Sequence, residues 1–321
     1  MNDVIIEAIH KTGGNFMKIA VIGGGAMGSL YGGLLSQNND VVIVVVNRDQ
    51  TEKVNCEGLL IHEADGSQRL CHPKMIVCTD ALEPVDLVIL FVKSMVSRAA
   101  LEQNRALIGP DTYVMTLQNG SGHETILSEF TDAEHVVIGT TQHNSAVLEL
   151  GEIRHAGSGI TNIGCISGDV HRLEPIAEAF RKSGFETRCC PNVKELIWSK
   201  MFTNVSVSAL TGVLEVPMGY IVENPYAWTL CETLIREAVA VAEGEGLHFD
   251  ADEKIAEVRA VCERNPSGIT SICADIRNGR KTEVDTISGS VVAASHRNGI
   301  SAPTHELIVT LIHALEDRKN A

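Results

Sequence analysis

Residues 17–35, MKIAVIGGGAMGSLYGGLL, decide how this chain is read. Lys18–Ile22 is nearly all apolar, the pattern of a strand buried on both faces. Consecutive glycines break the run, and a segment of helical character follows, rich in Ala, Met, Leu and Tyr. Gly23, Gly25 and Gly28 fit G-x-G-x-x-G, in which each glycine has its own task. The first allows the sharp strand-to-helix turn, the second lets backbone approach a pyrophosphate, and the third lets helix pack closely on strand. Ala26 and Met27 open the helix, where unpaired N–H groups gather at its positive end. A glycine-rich turn in an ordinary α/β unit would look similar. The strand before, the helix after and a second apolar strand at 41–46 favour a bound dinucleotide.

Working outward, the second strand ends in Asn47, Arg48 and Asp49. An acid about 20 residues past the fingerprint would hold a free ribose 2′-hydroxyl, whereas an arginine accommodates a 2′-phosphate. Arg48 stands 20 residues beyond Gly28 (48 − 28), so NADP(H) is expected, with Asp49 and a merely solvated arginine as the competing considerations. Residues 86–92 and 113–117 read as further buried strands, with Lys93 and Asn119 just past their carboxyl ends. Ligands bind there in open parallel sheets. A solvated lysine and an Asn-Gly turn are the plainer readings of these two positions. A strand at 136–139 follows, then His143 in a polar loop, read as incidental. Residues 152–155 and 160–164 flank Gly157-Ser158-Gly159 and read as a hairpin. A helix near 173–182 and a strand at 186–190 close this part of the chain.

Past Pro191 the texture is helical throughout, with apolar residues at 3–4 spacing. The expected fold is α/β: a Rossmann-type domain with a parallel sheet over 17–190, then an all-helical domain over 191–321, with the site in the cleft between. Residues 1–16 lack the apolar core of a signal peptide and precede what reads as a second start at Met17, so they read as a dispensable extension or an upstream choice of start. No segment reaches the roughly 18 uninterrupted apolar residues of a membrane span. The 321 residues suffice for two sizeable cores, and a net charge of −15 argues against nucleic acid or an anionic membrane as partner. A small anionic substrate stays open, because a local lysine or arginine can dominate one pocket. Nine cysteines, odd in number and without C-x-x-C, suggest neither a zinc site nor a disulfide framework. Cys189 and Cys190 read as reduced neighbours, and a cytoplasmic location fits.

Two helical stretches keep unusual polar groups. Lys200, Asn204 and Ser208, spaced by four, make one stripe on a helix. In 265–285, Ser271 and Asp275 lie one turn apart and Glu283 follows a glycine-containing turn. A solvated face is the alternative, but it usually reads longer and more charged. Reduction of a ketone builds negative charge on oxygen and needs a positioned acid; a buried lysine serves only if a carboxylate such as Glu283 opposes its loss of charge. No metal-ligand cluster is evident.

These residues carry a resemblance. KIAVIGGGAMG (18–28), the V-K pair at 92–93, QNG (118–120), W-S-K-x-x-x-N (198–204) and D-I-x-x-G-R-x-T-E-V-D (275–285) resemble the ketopantoate reductase family over nearly the whole chain from Met17. The resemblance implies NADPH-dependent reduction of 2-dehydropantoate to pantoate on the route to pantothenate and coenzyme A. It puts Lys200 at the proton donor and Glu283 at the family's active-site glutamate. Asn204 and Ser271 match substrate-binding positions, Lys93 and Asn119 match residues near nicotinamide and substrate, and Arg48 matches the 2′-phosphate arginine. Ser208 stands where the family often has asparagine, and Thr270–Asp275 departs from S-S-M-x-Q-D; both departures bear on which 2-oxo acid is taken. Alternatives are reduction of a different branched 2-oxo acid and a non-catalytic NADP(H) sensor, and a homodimer is the assembly considered.

Overall fold

The computed structural model describes residues 16–318; the stretch expected to be an extension lies outside them apart from Phe16. The first half alternates strands and helices: β1 (Lys18–Ile22), α1 (Ala26–Leu35), β2 (Asp40–Val44), α2 (Arg48–Glu57), β3 (Leu59–Glu63), β4 (Gln68–Cys71), β5 (Lys74–Ile76), β6 (Leu87–Leu90) and α3 (Ser97–Gln103). It continues through β7 (Tyr113–Thr116), α4 (His123–Leu127), β8 (Val136–Thr141), β9 (Asn144–Glu149), β10 (Glu152–Gly157), β11 (Thr161–Cys165), α5 (Glu174–Lys182) and β12 (Thr187–Cys189).

Eight strands build the large sheet in the order β12-β11-β8-β7-β6-β1-β2-β5. Every pair is parallel except β8–β11, so the sheet is parallel-rich but not purely parallel as expected. Its central strands are covered on both faces, which is why their sequences are unbroken apolar runs. A second sheet, β4-β3-β10-β9, was not anticipated as a unit. Its strands are as long as those of the large sheet, but β4 and β9 are mostly exposed, so the apolar signal is weak.

The expected hairpin does not form. β10 pairs with β9 and β3 in the small sheet, whereas β11 pairs with β8 in the large one. Gly157-Ser158-Gly159 carries the chain from one sheet to the other. The reason lies in Thr161, which is buried with its Oγ1 2.7 Å from the Tyr31 hydroxyl beneath the large sheet. Both sheets use α1. An added Cβ on Gly32 would lie 2.5 Å from Ile43 of β2, and one on Gly33 would lie 2.8 Å from Leu59 of β3. The helix is thus enclosed from both sides, and its small residues make room.

The second half is helical: α6 (Val193–Thr203), a π-helical turn (Asn204–Ser208), α7 (Ala209–Leu214), α8 (Met218–Glu223), α9 (Pro225–Gly244), α10 (Ala251–Arg264), α11 (Ser271–Arg277), α12 (Ser288–Asn298) and α13 (Pro303–Asp317). These pack around a core of their own that includes Phe202, Leu234, Ile235 and Ile312. Ile197 on α6 packs against both this core and one face of the large sheet, so α6 joins the two halves. Among the described residues no helix is long and apolar enough to cross a membrane.

Candidate active site

The β1–α1 turn is built as the glycine pattern requires. Gly23 has φ +109°, and its N–H donates to Val44 O at 2.9 Å. A Cβ on Gly28 would fall 1.8 Å from Gly23 O, so only glycine permits this closeness of helix and turn. At Gly25 an added Cβ would meet nothing within 4 Å. α1 begins there with no side-chain cap and no acid in its first turn, leaving its N–H groups for an anion. Two cavities meet at Gly25 and Val92. One, of about 580 Å³, runs beside Val45, Val46, Asn47, Val77 and Thr79. The other, of about 520 Å³, runs past Ala26, Met27 and Lys93 into the cleft between the halves. An uncapped helix end flanked by two such spaces fits a dinucleotide, its pyrophosphate at the helix and its two ends in the two cavities.

Arg48 is exposed at the first turn of α2, and Asn47 caps that helix by accepting from Gln50 N. β2 ends at Val44, two residues earlier than expected, so Val46 and Asn47 line the cavity and Arg48, the next residue, does not. Arg48 has no ion-pair partner among the described residues. Gln50, which the sequence did not single out, donates from Nε2 to Gly24 O at 2.7 Å and braces the glycine turn.

In the cleft, Lys200 of α6 reaches the carboxyl ends of the sheet. Its Nζ donates to Asn119 Oδ1 and to Thr141 O, both at 3.0 Å. Burial pushes the ammonium down from its ordinary value to about 8. Thr141, missed in the sequence because it contributes a backbone carbonyl, is itself fixed. Its Oγ1 accepts from the Tyr31 hydroxyl at 2.9 Å and from His143 N at 3.1 Å. Burial raises the Tyr31 phenol to about 12, so it stays a donor.

Glu283 does not pair with Lys200, contrary to expectation. Its Oε1 accepts from Ser94 N at 3.1 Å, and the displacement of the lysine follows from burial alone. Lys93 points across the cleft to Asp275, whose other oxygen accepts from Arg280 Nε at 3.0 Å. Ser271 opens α11 and lines the same cavity as Lys93, Asn119, Lys200 and Glu283. The stripe of Lys200, Asn204 and Ser208 does not hold together. Asn204 borders only a void of about 10 Å³ behind Lys200 and Asn119, and buried Ser208 borders neither space. The π-helical turn begins at Asn204, so later residues are rotated off the face that α-helical spacing assigns them.

His143, read as incidental, is buried at the cleft. Its Nδ1 lies 2.9 Å from His155 Nε2, and His155 Nδ1 lies 2.7 Å from Glu63 Oε2. Burial and the neighbouring His155 depress His143 to about 4, so it is neutral near pH 7. All nine cysteines are free, Cys189 and Cys190 included.

The family model described as ketopantoate reductase PanE/ApbA matches residues 19–168, and its C-terminal counterpart matches 192–316. The chain belongs to the ketopantoate reductase family. A 2-dehydropantoate 2-reductase of Halobacterium salinarum is 32% identical over 92% of this chain and 98% of its own. The crystal structure of 2-dehydropantoate 2-reductase from Geobacter metallireducens is 28% identical with a TM-score of 0.85, covering 93% of this chain and 99% of its own. A D-mandelate dehydrogenase, solved with NADH and anilino(oxo)acetate, is also 28% identical, with a TM-score of 0.88 over 95% of this chain and 100% of its own.

Proposed function

We propose that this chain reduces 2-dehydropantoate to pantoate with NADPH, a step toward pantothenate and coenzyme A. The observation that carries the reading is Lys200. Its ammonium has three N–H groups, two of which go to Asn119 Oδ1 and Thr141 O, leaving one for the cleft. The nicotinamide supplies hydride to the substrate's carbonyl carbon. As charge grows on the carbonyl oxygen, Lys200 passes it a proton; Asn119 and Thr141 hold the lysine in place without competing for that third N–H. Lys93, at the carboxyl end of β6, and Ser271, at the start of α11, supply donors for the oxo acid. Asn204 and Ser208 stand behind this layer, where closure of the cleft would be needed to bring them to substrate. The turn at Gly23–Gly28, with Ala26 and Met27, holds the pyrophosphate, and Arg48 at the start of α2 takes the 2′-phosphate.

In this reading residues 17–190 hold the nucleotide and 191–321 supply the acid. The enzyme works in the cytoplasm on a small molecule, alone or as a homodimer. A second reading, reduction of a different branched 2-oxo acid, is favoured by Ala274, which lines the cavity where the family's S-S-M-x-Q-D has glutamine. Likeness to the D-mandelate dehydrogenase supports it too. Oxidation of NADPH over a panel of 2-oxo acids separates the two. Highest kcat/KM for ketopantoate supports the first, and an inert ketopantoate beside an active branched or aromatic 2-oxo acid supports the second. No turnover of any member leaves a dinucleotide-binding protein without this activity.

A further inference from the structure

Glu283 sits on the connection between α11 and α12, where its carbonyl accepts from Thr286 N at 3.2 Å and from Ile287 N at 3.1 Å. The residues before it are held by a carboxylate from α13. Glu316 Oε1 accepts from both the N–H and the hydroxyl of Thr282, each at 2.7 Å. Its Oε2 accepts from Lys281 Nζ at 3.2 Å and lies 3.1 Å from His313 Nδ1. The other nitrogen of His313 reaches Asp285 Oδ1 at 3.0 Å. Glu283 is therefore gripped on both sides, through 281–282 before it and 285 after it. The Glu316 side chain is only 2% exposed. Burial works against its charge, but the bonds from Thr282, His313 and Lys281 outweigh this and leave the carboxyl below its usual range. A buried carboxylate with so many donors is a rigid anchor, because releasing any donor leaves a desolvated charge behind. Glu316 does not itself border the cleft.

We infer that Glu316 is a positioning residue for the reduction, fixing through Thr282 the place from which Glu283 faces the cleft. The inference rests on the proposed reductase activity and on Glu283 taking part in it. A double-mutant cycle on kcat tests it in the full-length enzyme. Glu316→Ala lowers kcat by about 10- to 100-fold, the usual worth of a small misplacement, and leaves the KM for NADPH unchanged. In a Glu283→Gln background the same substitution costs nothing more, because there is no longer a placed carboxylate to lose. Glu316→Gln keeps an oxygen for Thr282 and restores most of the loss. Should Glu316→Ala not fold, Thr282→Val carries the same test, with a several-fold loss of kcat that vanishes in the Glu283→Gln background. Additive losses, or a lowered melting temperature with kcat intact, overturn the inference and leave the reductase reading standing. A wild-type enzyme that reduces no 2-oxo acid, or a Glu283→Gln enzyme with full kcat, overturns the reading and the inference with it.

Discussion

A lysine serves as an acid only while it keeps its proton, and the surroundings of Lys200 weaken its hold. With the ammonium pushed down to about 8, the acid form dominates below that pH and is lost above it. Because kcat/KM reports the free enzyme, it should be flat on the acid side and fall about tenfold per pH unit above pH 8. Lys200→Ala should remove this limb and lower turnover by about 10²- to 10⁴-fold. NADPH affinity, read by fluorescence titration, should hardly change; near-normal turnover would exclude the lysine as donor. Arg48→Ala should raise the KM for NADPH and leave that for NADH nearly as it was. An equal loss with both cofactors would remove the 2′-phosphate from its neighbourhood. At this scale the sequence was most legible in residue types. Lys93, Asn119, Lys200, Ser271 and Glu283 do share one cavity. The pairings were not legible. Lys200 is held by an amide oxygen and a backbone carbonyl, and a carbonyl leaves no mark on residue type.

Among the elements, α1 shows how much one segment can reveal. The strand, turn and helix of 18–35 were all readable, since glycine placement and apolar burial point the same way. That α1 lies between two sheets was not readable, because in the small sheet β4 and β9 are mostly exposed and β3 and β10 only half-buried. Its trace was the pair Gly32 and Gly33, one glycine beneath each sheet. Gly28→Ala should be severe: the new methyl would meet Gly23 O, costing about 1–3 kcal/mol of stability even after the turn shifts. NADPH binding should weaken much more than the melting temperature implies, since the displaced turn is the pyrophosphate's seat. Tight NADPH binding by the folded variant would show that the turn tolerates movement. The strand pair around 157–159 misled because alternation within each strand says which face is buried, not which sheet receives it.

Across the whole molecule, the halves meet along α6, where Val193 and Ile197 pack on the large sheet, and at a few polar points. Gly120 has φ +100°, and a Cβ there would lie 2.1 Å from Thr286 O, to which Ser121 N donates at 3.0 Å. Thr286 also donates from Oγ1 to Ser94 Oγ at 3.2 Å, and Lys93 pairs with Asp275 across the same border. Such a seam adds polar fixing points to the apolar contact that α6 makes with the sheet. Gly120→Ala should therefore displace the 283–286 turn, and Glu283 with it, from the sheet while each core stays intact. The expected result is a loss of kcat of about 10²-fold, with NADPH affinity preserved and little change in helical circular dichroism. Unaltered kcat would mean the seam does not set the distance. From sequence, the change of texture at Pro191 was plain, whereas these contacts join residues too far apart in the chain for any local pattern to register.

The π-helical turn at Asn204–Ser208 has a consequence for insertions and deletions. A helix that holds one residue more than its regular pitch is out of step with itself, and trimming that residue would bring it back into step. The flanks need not turn, because the wide turn has already absorbed the extra residue and both flanks are seated in the helical core, Phe202 on one side and Leu210 on the other. Deleting a single residue from 205–207 should thus leave Lys200 within reach of Asn119 and Thr141, and the variant should bind NADPH and keep its turnover within several-fold. A variant that binds NADPH and reduces nothing would show that the wide turn itself is needed at the cleft. Adding a residue is the harmful change, since it has no further wide turn to enter and rotates one flank by about 100° against the other. The site thus tolerates the loss of a residue here better than the gain of one.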